Sequence, residues 1–163
     1  MFEEMSLSSL AFDMYSGEPL VLLKDPTKNN SFLVSGNNQD IRYLMAEFSG
    51  RTPDASSPYS LIFSLLLSLA CNITRLEIIH NSNNIPTGQI HIINKEKEFI
   101  QECRPIDVVL ISNKLTMPIW VLKDLLNQPK TFSLQDSTQF EPSPSFEKEI
   151  FPFEPTNDKK ILM

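Results

Sequence analysis

Along the first 128 residues the apolar positions form short runs, and their spacing alternates between the strand and helix periods. Residues 5–13 alternate imperfectly: Met5 and Leu7 are out of step with Leu10 and Phe12 because of a slip at Ser8–Ser9, which predicts a bulged strand. Tyr15-Ser16-Gly17-Glu18 is a turn with Gly available for positive φ. Leu20-Val21-Leu22-Leu23 reads as a buried strand, residues 24–30 as a second turn, and Phe32-Leu33-Val34 as a third strand of a meander. Asn37 or Asn38 then caps a helix over 39–48, whose Ile41, Leu44, Met45 and Phe48 share one face, and Gly50 ends it. Ser57-Pro58 starts a second helix over 59–71, apolar nearly all round and therefore expected at the centre of the fold. Strands follow over 73–80, 89–93 and 98–103, separated by polar turns. A helix over 105–114 stops at Thr116-Met117-Pro118, before a short strand Ile119-Trp120-Val121 and a terminal helix over 122–127. This order, βββαα-βββ-αβα, lacks regular βα alternation. It predicts an α+β domain with a mixed, mostly antiparallel sheet packed with three to four helices.

The pattern stops near Gln128. Residues 129–163 hold Pro129, Pro142, Pro144, Pro152 and Pro155, no Gly, and isolated Phe side chains among Ser, Glu and Lys. Such a composition builds no core, so the expectation is a 1–128 domain followed by a disordered 129–163 tail. Phe140-Glu141-Pro142 and Phe153-Glu154-Pro155 suggest short docking peptides. A protein partner would then be held through Phe140, Phe146, Phe151 and Phe153; the alternative is simple composition bias.

Net charge is −6 and the pI is near 4.9, which argues against broad, non-specific nucleic-acid binding but leaves room for a small basic or metal-bridged site. Cys71 and Cys103 lie in no zinc-type spacing, so they are free thiols of a reducing cytosol or one disulfide. Glu3 and Glu4 stand where a secretory leader carries positive charge. The most apolar run, 59–71, is short of the roughly 20 residues that span a bilayer. A cytoplasmic protein without a membrane segment is expected.

The stretch Glu102-Cys103-Arg104-Pro105-Ile106-Asp107 carries the most chemistry. It is a strand running directly into a helix, with Pro105 suited to the first turn and Asp107 placed where the helix dipole favours a carboxylate. The charge at this corner serves either as a site or as a helix cap. Metal-dependent phosphodiester cleavage needs carboxylates to hold Mg²⁺ or Mn²⁺, and an Arg fork matches two phosphate oxygens. The candidates are Asp107 and Arg104 as catalytic groups, with Asp107, Glu102, Asp13 and Glu77 as ligands. Against this, Asp13 precedes a tight turn and suits an Asx-type hydrogen bond, and Glu77 suits a solvated strand face. His80 and His91 fall on neighbouring strands, either as a pair across a hairpin or as two surface imidazoles. Ser60, Ser64 and Ser68 recur at four-residue spacing, a small-residue stripe of the helix-packing kind rather than a nucleophile elbow.

Two of these segments resemble a known family. Asp13-Met14-Tyr15-Ser16-Gly17-Glu18-Pro19-Leu20-Val21-Leu22-Leu23-Lys24-Asp25 resembles the opening "D…G.P.VLLKD" of the bifunctional nuclease domain. Residues 102–121, ECRPIDVVLISNKLTMPIWV, resemble its "DARPSDAIALA…PI.V" signature. The resemblance implies an α+β fold, a homodimer, and nuclease activity on DNA and RNA with a divalent metal. It covers roughly residues 5–127. Three departures stand out. Gln39 and Asp40 replace Glu-Ala on the first helix. Pro58, Tyr59 and Ser60 occupy the loop region where the family carries His and Asp. Ile106 replaces Ser between Pro105 and Asp107. A divergent member is expected, active or reduced to a non-catalytic dimeric interaction module.

Overall fold

The computed structural model describes residues 1–13, 15–27, 29–49 and 58–126. Gly50, the 51–57 loop with its Ser57 cap, and the 129–163 tail with Phe140, Phe146, Phe151 and Phe153 lie outside the described residues.

The elements are β1 (Phe2–Phe12), β2 (Pro19–Lys24), β3 (Ser31–Ser35), α1 (Asn38–Phe48), α2 (Pro58–Ser68), β4 (Cys71–His80), β5 (Pro86–Asn94), β6 (Lys97–Cys103), α3 (Pro105–Leu115), β7 (Ile119–Leu122) and α4 (Lys123–Leu126). The strands form one mixed sheet in the order β3-β2-β1-β7-β4-β5-β6. All neighbours are antiparallel except β4 and β7. The architecture is α+β.

β1 organises the curl of this sheet. Its start pairs with β7, from Phe2 opposite Leu122 to Met5 opposite Ile119. Its remainder pairs with β2, with a register shift between Leu7 and Ser9, at the sequence slip. A bulge bends its strand and raises the local twist, so the β1–β2–β3 part swings over and β3 reaches α3 and α4. The β2–β3 turn is fixed by Asp25, whose buried carboxylate accepts from the Thr27 hydroxyl, the Asn29 and Asn30 backbone N–H groups and the Asn30 amide, each at 3.0 Å.

α3 is the centre of the fold. Ile106, Val108, Val109, Leu110, Ile111 and Ser112 are all buried, in one cluster with Met5, Leu23, Leu44, Leu76, Ile78 and Val121. Gly88 permits this approach. A Cβ there would lie 2.6 Å from Val108 Cγ2 and 2.9 Å from the Arg104 carbonyl oxygen, so only glycine lets β5 touch the start of α3. The helix ends at Thr116 in the left-handed region, φ 53°, with its backbone N–H bonded to the Ser112 carbonyl.

The expectation that the second helix is central is overturned. α2 has no buried residue, and it ends at Ser68 because Cys71 already begins β4. Only one side of it faces the body: Tyr59 and Phe63 pack against the core. The helix is apolar enough to be buried, but in a single chain it lies at the surface.

Candidate functional site at the start of the central helix

Asn37 caps α1: its side chain accepts from the Asp40 backbone N–H at 2.9 Å, and the Asp40 carboxylate accepts from the Asn37 N–H at 2.9 Å. This reciprocal cap pins Asp40, itself buried, at the first turn. At α3 the Asp107 carboxylate likewise accepts from the Arg104 backbone N–H at 3.1 Å. The two helix starts therefore present two fixed carboxylates, and Arg104 lies between them.

The Arg104 guanidinium forks to both. Nη1 and Nη2 donate to Asp40 Oδ2 and Oδ1 at 3.2 and 3.1 Å. Nε and Nη2 donate to Asp107 Oδ2 and Oδ1 at 3.0 and 2.6 Å. From α2 the Tyr59 hydroxyl donates to Asp107 Oδ1 at 2.8 Å, and Arg104 Nη2 lies 3.2 Å from the same hydroxyl. Its ring packs on Tyr43, centroids 4.7 Å apart. Two carboxylates against one guanidinium leave one net negative charge.

The titration of these groups follows from this geometry. Burial alone would raise Asp107, but the Arg104 guanidinium and the Tyr59 hydroxyl outweigh it and hold the carboxyl below the usual range. Burial, then the Asp107 carboxylate, pushes the Tyr59 phenol up, so it stays a neutral donor. The hydrogen bonds from Arg104 to Asp107 hold the guanidinium's proton more firmly still. Burial pushes the Cys103 thiol to about 12, which leaves no thiolate nucleophile at neutral pH.

Two cavities meet at this cluster. One, of about 990 Å³, runs under α2 between Tyr43, Tyr59, Ile62, Ile90 and Cys103. The other, of about 600 Å³, lies between the β1–β2 turn and the start of α3, lined by Gly17, Glu18, Pro19, Arg104, Pro105 and Ile106. Asp40 and Arg104 border both. The two sequence segments that carry the family resemblance thus line one cleft.

The other candidate residues sit elsewhere. Asp13 Oδ1 accepts from the Tyr15 and Ser16 N–H groups at 2.7 and 3.2 Å, an Asx-type turn. Glu102, on β6, stands opposite Gln89 of β5 and is exposed, on the strand face opposite its neighbour Cys103. Among the described residues no group of three or more His, Cys, Asp or Glu is placed to hold a metal ion. Glu77 is not a solvated strand residue: it is buried, paired with Arg75, and 3.3 Å from His91 Nε2. His80 and His91 are not a pair, because His80 stands opposite Pro86 and His91 opposite Arg75, roughly 16 Å apart along the strands. Both cysteines are free. No helix among the described residues is long and apolar enough to cross a membrane.

The residues missing from the candidate set are Asp40 and Tyr59. Each occupies a position where the chain departs from the family pattern, and the departures were themselves the signal. Hydropathy carried none, because α1, α2 and α3 supply one residue or two each from distant parts of the chain.

An α+β domain with a charged cleft at a strand-to-helix corner is the class this geometry defines. The family model of the bifunctional nuclease domain matches residues 21–133, from within β2 to beyond α4. The chain belongs to the bifunctional nuclease domain family. None of the curated proteins compared matches it.

Proposed function

We propose that this domain acts on nucleic acid and hydrolyses phosphodiester bonds at the Asp40–Tyr59–Arg104–Asp107 cluster. The observation that carries the reading is the convergence of both family segments on one cleft, with Arg104 and Asp40 at its border. Arg104 carries a planar fork that matches two phosphate oxygens once it exchanges a carboxylate for them. Tyr59, kept neutral, offers a hydroxyl to the same group or to water. The net negative charge of the cluster opposes a bare phosphate and favours a cation. Two carboxylates are fewer than a metal-holding group of three, so Mg²⁺ or Mn²⁺ would need substrate phosphates to complete its shell. Asp40 and Asp107 would hold it, and it would supply the charge that neutralises the phosphodiester. Asp107 stays ionised for this role at neutral pH.

A second reading has its own observation. Arg104 is already bound by both carboxylates, so the cluster also works as a clamp joining α1, α2 and α3. On that reading the domain is a non-catalytic interaction module.

Cleavage of labelled single-stranded and duplex DNA and RNA separates the two. With Mg²⁺ or Mn²⁺ the wild type cuts, EDTA stops it, and Asp107→Asn and Asp40→Asn lose activity by far more than they lose thermal stability. Equal background in all three proteins retires the enzyme and leaves the module.

A further inference from the structure

The larger cavity, about 990 Å³, has apolar walls on two sides: Ile73, Ile90 and Ile92 from the sheet, and Ile62 and Leu66 from α2. Its third wall is α1 and is of a different kind. Gln39, Arg42, Tyr43 and Ala46 recur at three- and four-residue spacing, so they form one stripe of that helix, and all four line the cavity. Ile41 and Leu44 of the same helix are buried in the core instead. An aromatic ring between a Gln and an Arg is suited to a nucleobase. The ring stacks on its face, and the amide and guanidinium donate to its edge, where adenine and guanine both offer the N7 acceptor. The charge of the chain points the same way. At a net −6 it has no surplus of cations to hold a phosphate backbone along its length, so affinity falls to the bases.

We propose that this cavity is a nucleobase pocket: an unpaired purine of a single-stranded nucleic acid enters under α2, lies against Tyr43 and meets Gln39 and Arg42 with its N7 edge, while its phosphate sits at Arg104. The choice of occupant rests on the functional reading of the cluster, because Asp40 and Arg104 border the cavity and bring the phosphate to its mouth. Tyr59 sets the spacing. Its hydroxyl is 3.2 Å from Arg104 Nη2, and its ring centroid is 4.7 Å from that of Tyr43. The phosphate site and the ring pair are thus one phenol apart, a span that a sugar bridges. A base in a duplex is stacked and paired, so it reaches the pocket only after leaving the helix. A pyrimidine has no N7 and covers less of the apolar wall, so it is held less well.

Binding of short oligonucleotides to the full chain, with Ca²⁺ present and read by fluorescence, tests the pocket without relying on cleavage. Each pyrimidine strand carries at one position 2-aminopurine, a pyrimidine or an abasic sugar, and the 2-aminopurine strand is also presented paired. The single strand with 2-aminopurine should bind with a change in its fluorescence. Pairing it, or replacing the base by a pyrimidine or the abasic sugar, should weaken binding, by about tenfold for the abasic strand. Ala46→Trp, which fills the cavity from α1, should weaken the purine strand by a similar factor and leave the abasic strand unchanged. Gln39→Ala, at an exposed position that folding does not depend on, should narrow the preference for purine over pyrimidine. Equal binding of purine, pyrimidine and abasic strands overturns the proposal, as does no binding of any strand. Wild-type behaviour of both variants overturns it too, and so does a 2-aminopurine mononucleotide that binds as tightly as the strand. Failure of the functional reading looks different: purine-dependent binding persists while Mg²⁺ and Mn²⁺ support no cutting, which keeps the pocket and retires the hydrolase.

Discussion

α2 and α3 have the same length, 11 residues, and both are dominated by aliphatic side chains, yet α3 buries six of its residues and α2 none. The difference lies in what surrounds them. α3 runs against β5 where Gly88 admits it, and the curled sheet and α1 close around it. α2 touches the body along one narrow side through Tyr59 and Phe63. Hydropathy states that a segment needs cover; it does not state whether the cover comes from the same chain. α3 is satisfied within the chain. α2 leaves Leu61, Leu65 and Leu67 exposed.

The sharpest test of this contrast compares one leucine from each helix. Leu110→Ala should cost about 2–5 kcal/mol, because it leaves a cavity in a packed core. Leu61→Ala, at an exposed position, should change stability by less than about 0.5 kcal/mol. Urea unfolding midpoints read both. Equal losses would place the two helices in the same core and dissolve the comparison.

A smaller effect tests the joint between them, where Tyr59 of α2 meets Asp107 of α3. The folded Asp107 carboxyl titrates below its ordinary value, so its interactions stabilise the native state above the unfolded pKa of about 3.9. That contribution disappears as pH falls through the folded value. The stability difference between wild type and Asp107→Asn should therefore be full at neutral pH and shrink in strong acid. A difference that is constant across this range would mean that the charge of Asp107 contributes nothing to the clamp.

Much of the fold was legible because its signals are local. The slip at Ser8–Ser9 marks the β1 bulge, Asn37 marks the start of α1, and Pro105 with Asp107 marks the start of α3. These depend on backbone hydrogen bonds within a few residues. What escaped depends on distance. The burial of Glu77 and the separation of His80 from His91 follow from strand register, which hydropathy constrains only to which face a residue takes. Arg104 and Asp107 were visible as a corner, whereas Asp40 and Tyr59 join them from 64 and 48 residues away. No periodicity encodes such convergence. The position of α2 escaped for a different reason: an apolar helix at the surface and one in a core look alike in sequence.

Hydrogen exchange of the full-length protein measures the contrast directly. The account predicts that amides of α3 exchange only when the whole domain unfolds, while those of α2 exchange faster through local opening. Equal protection of the two helices would contradict it.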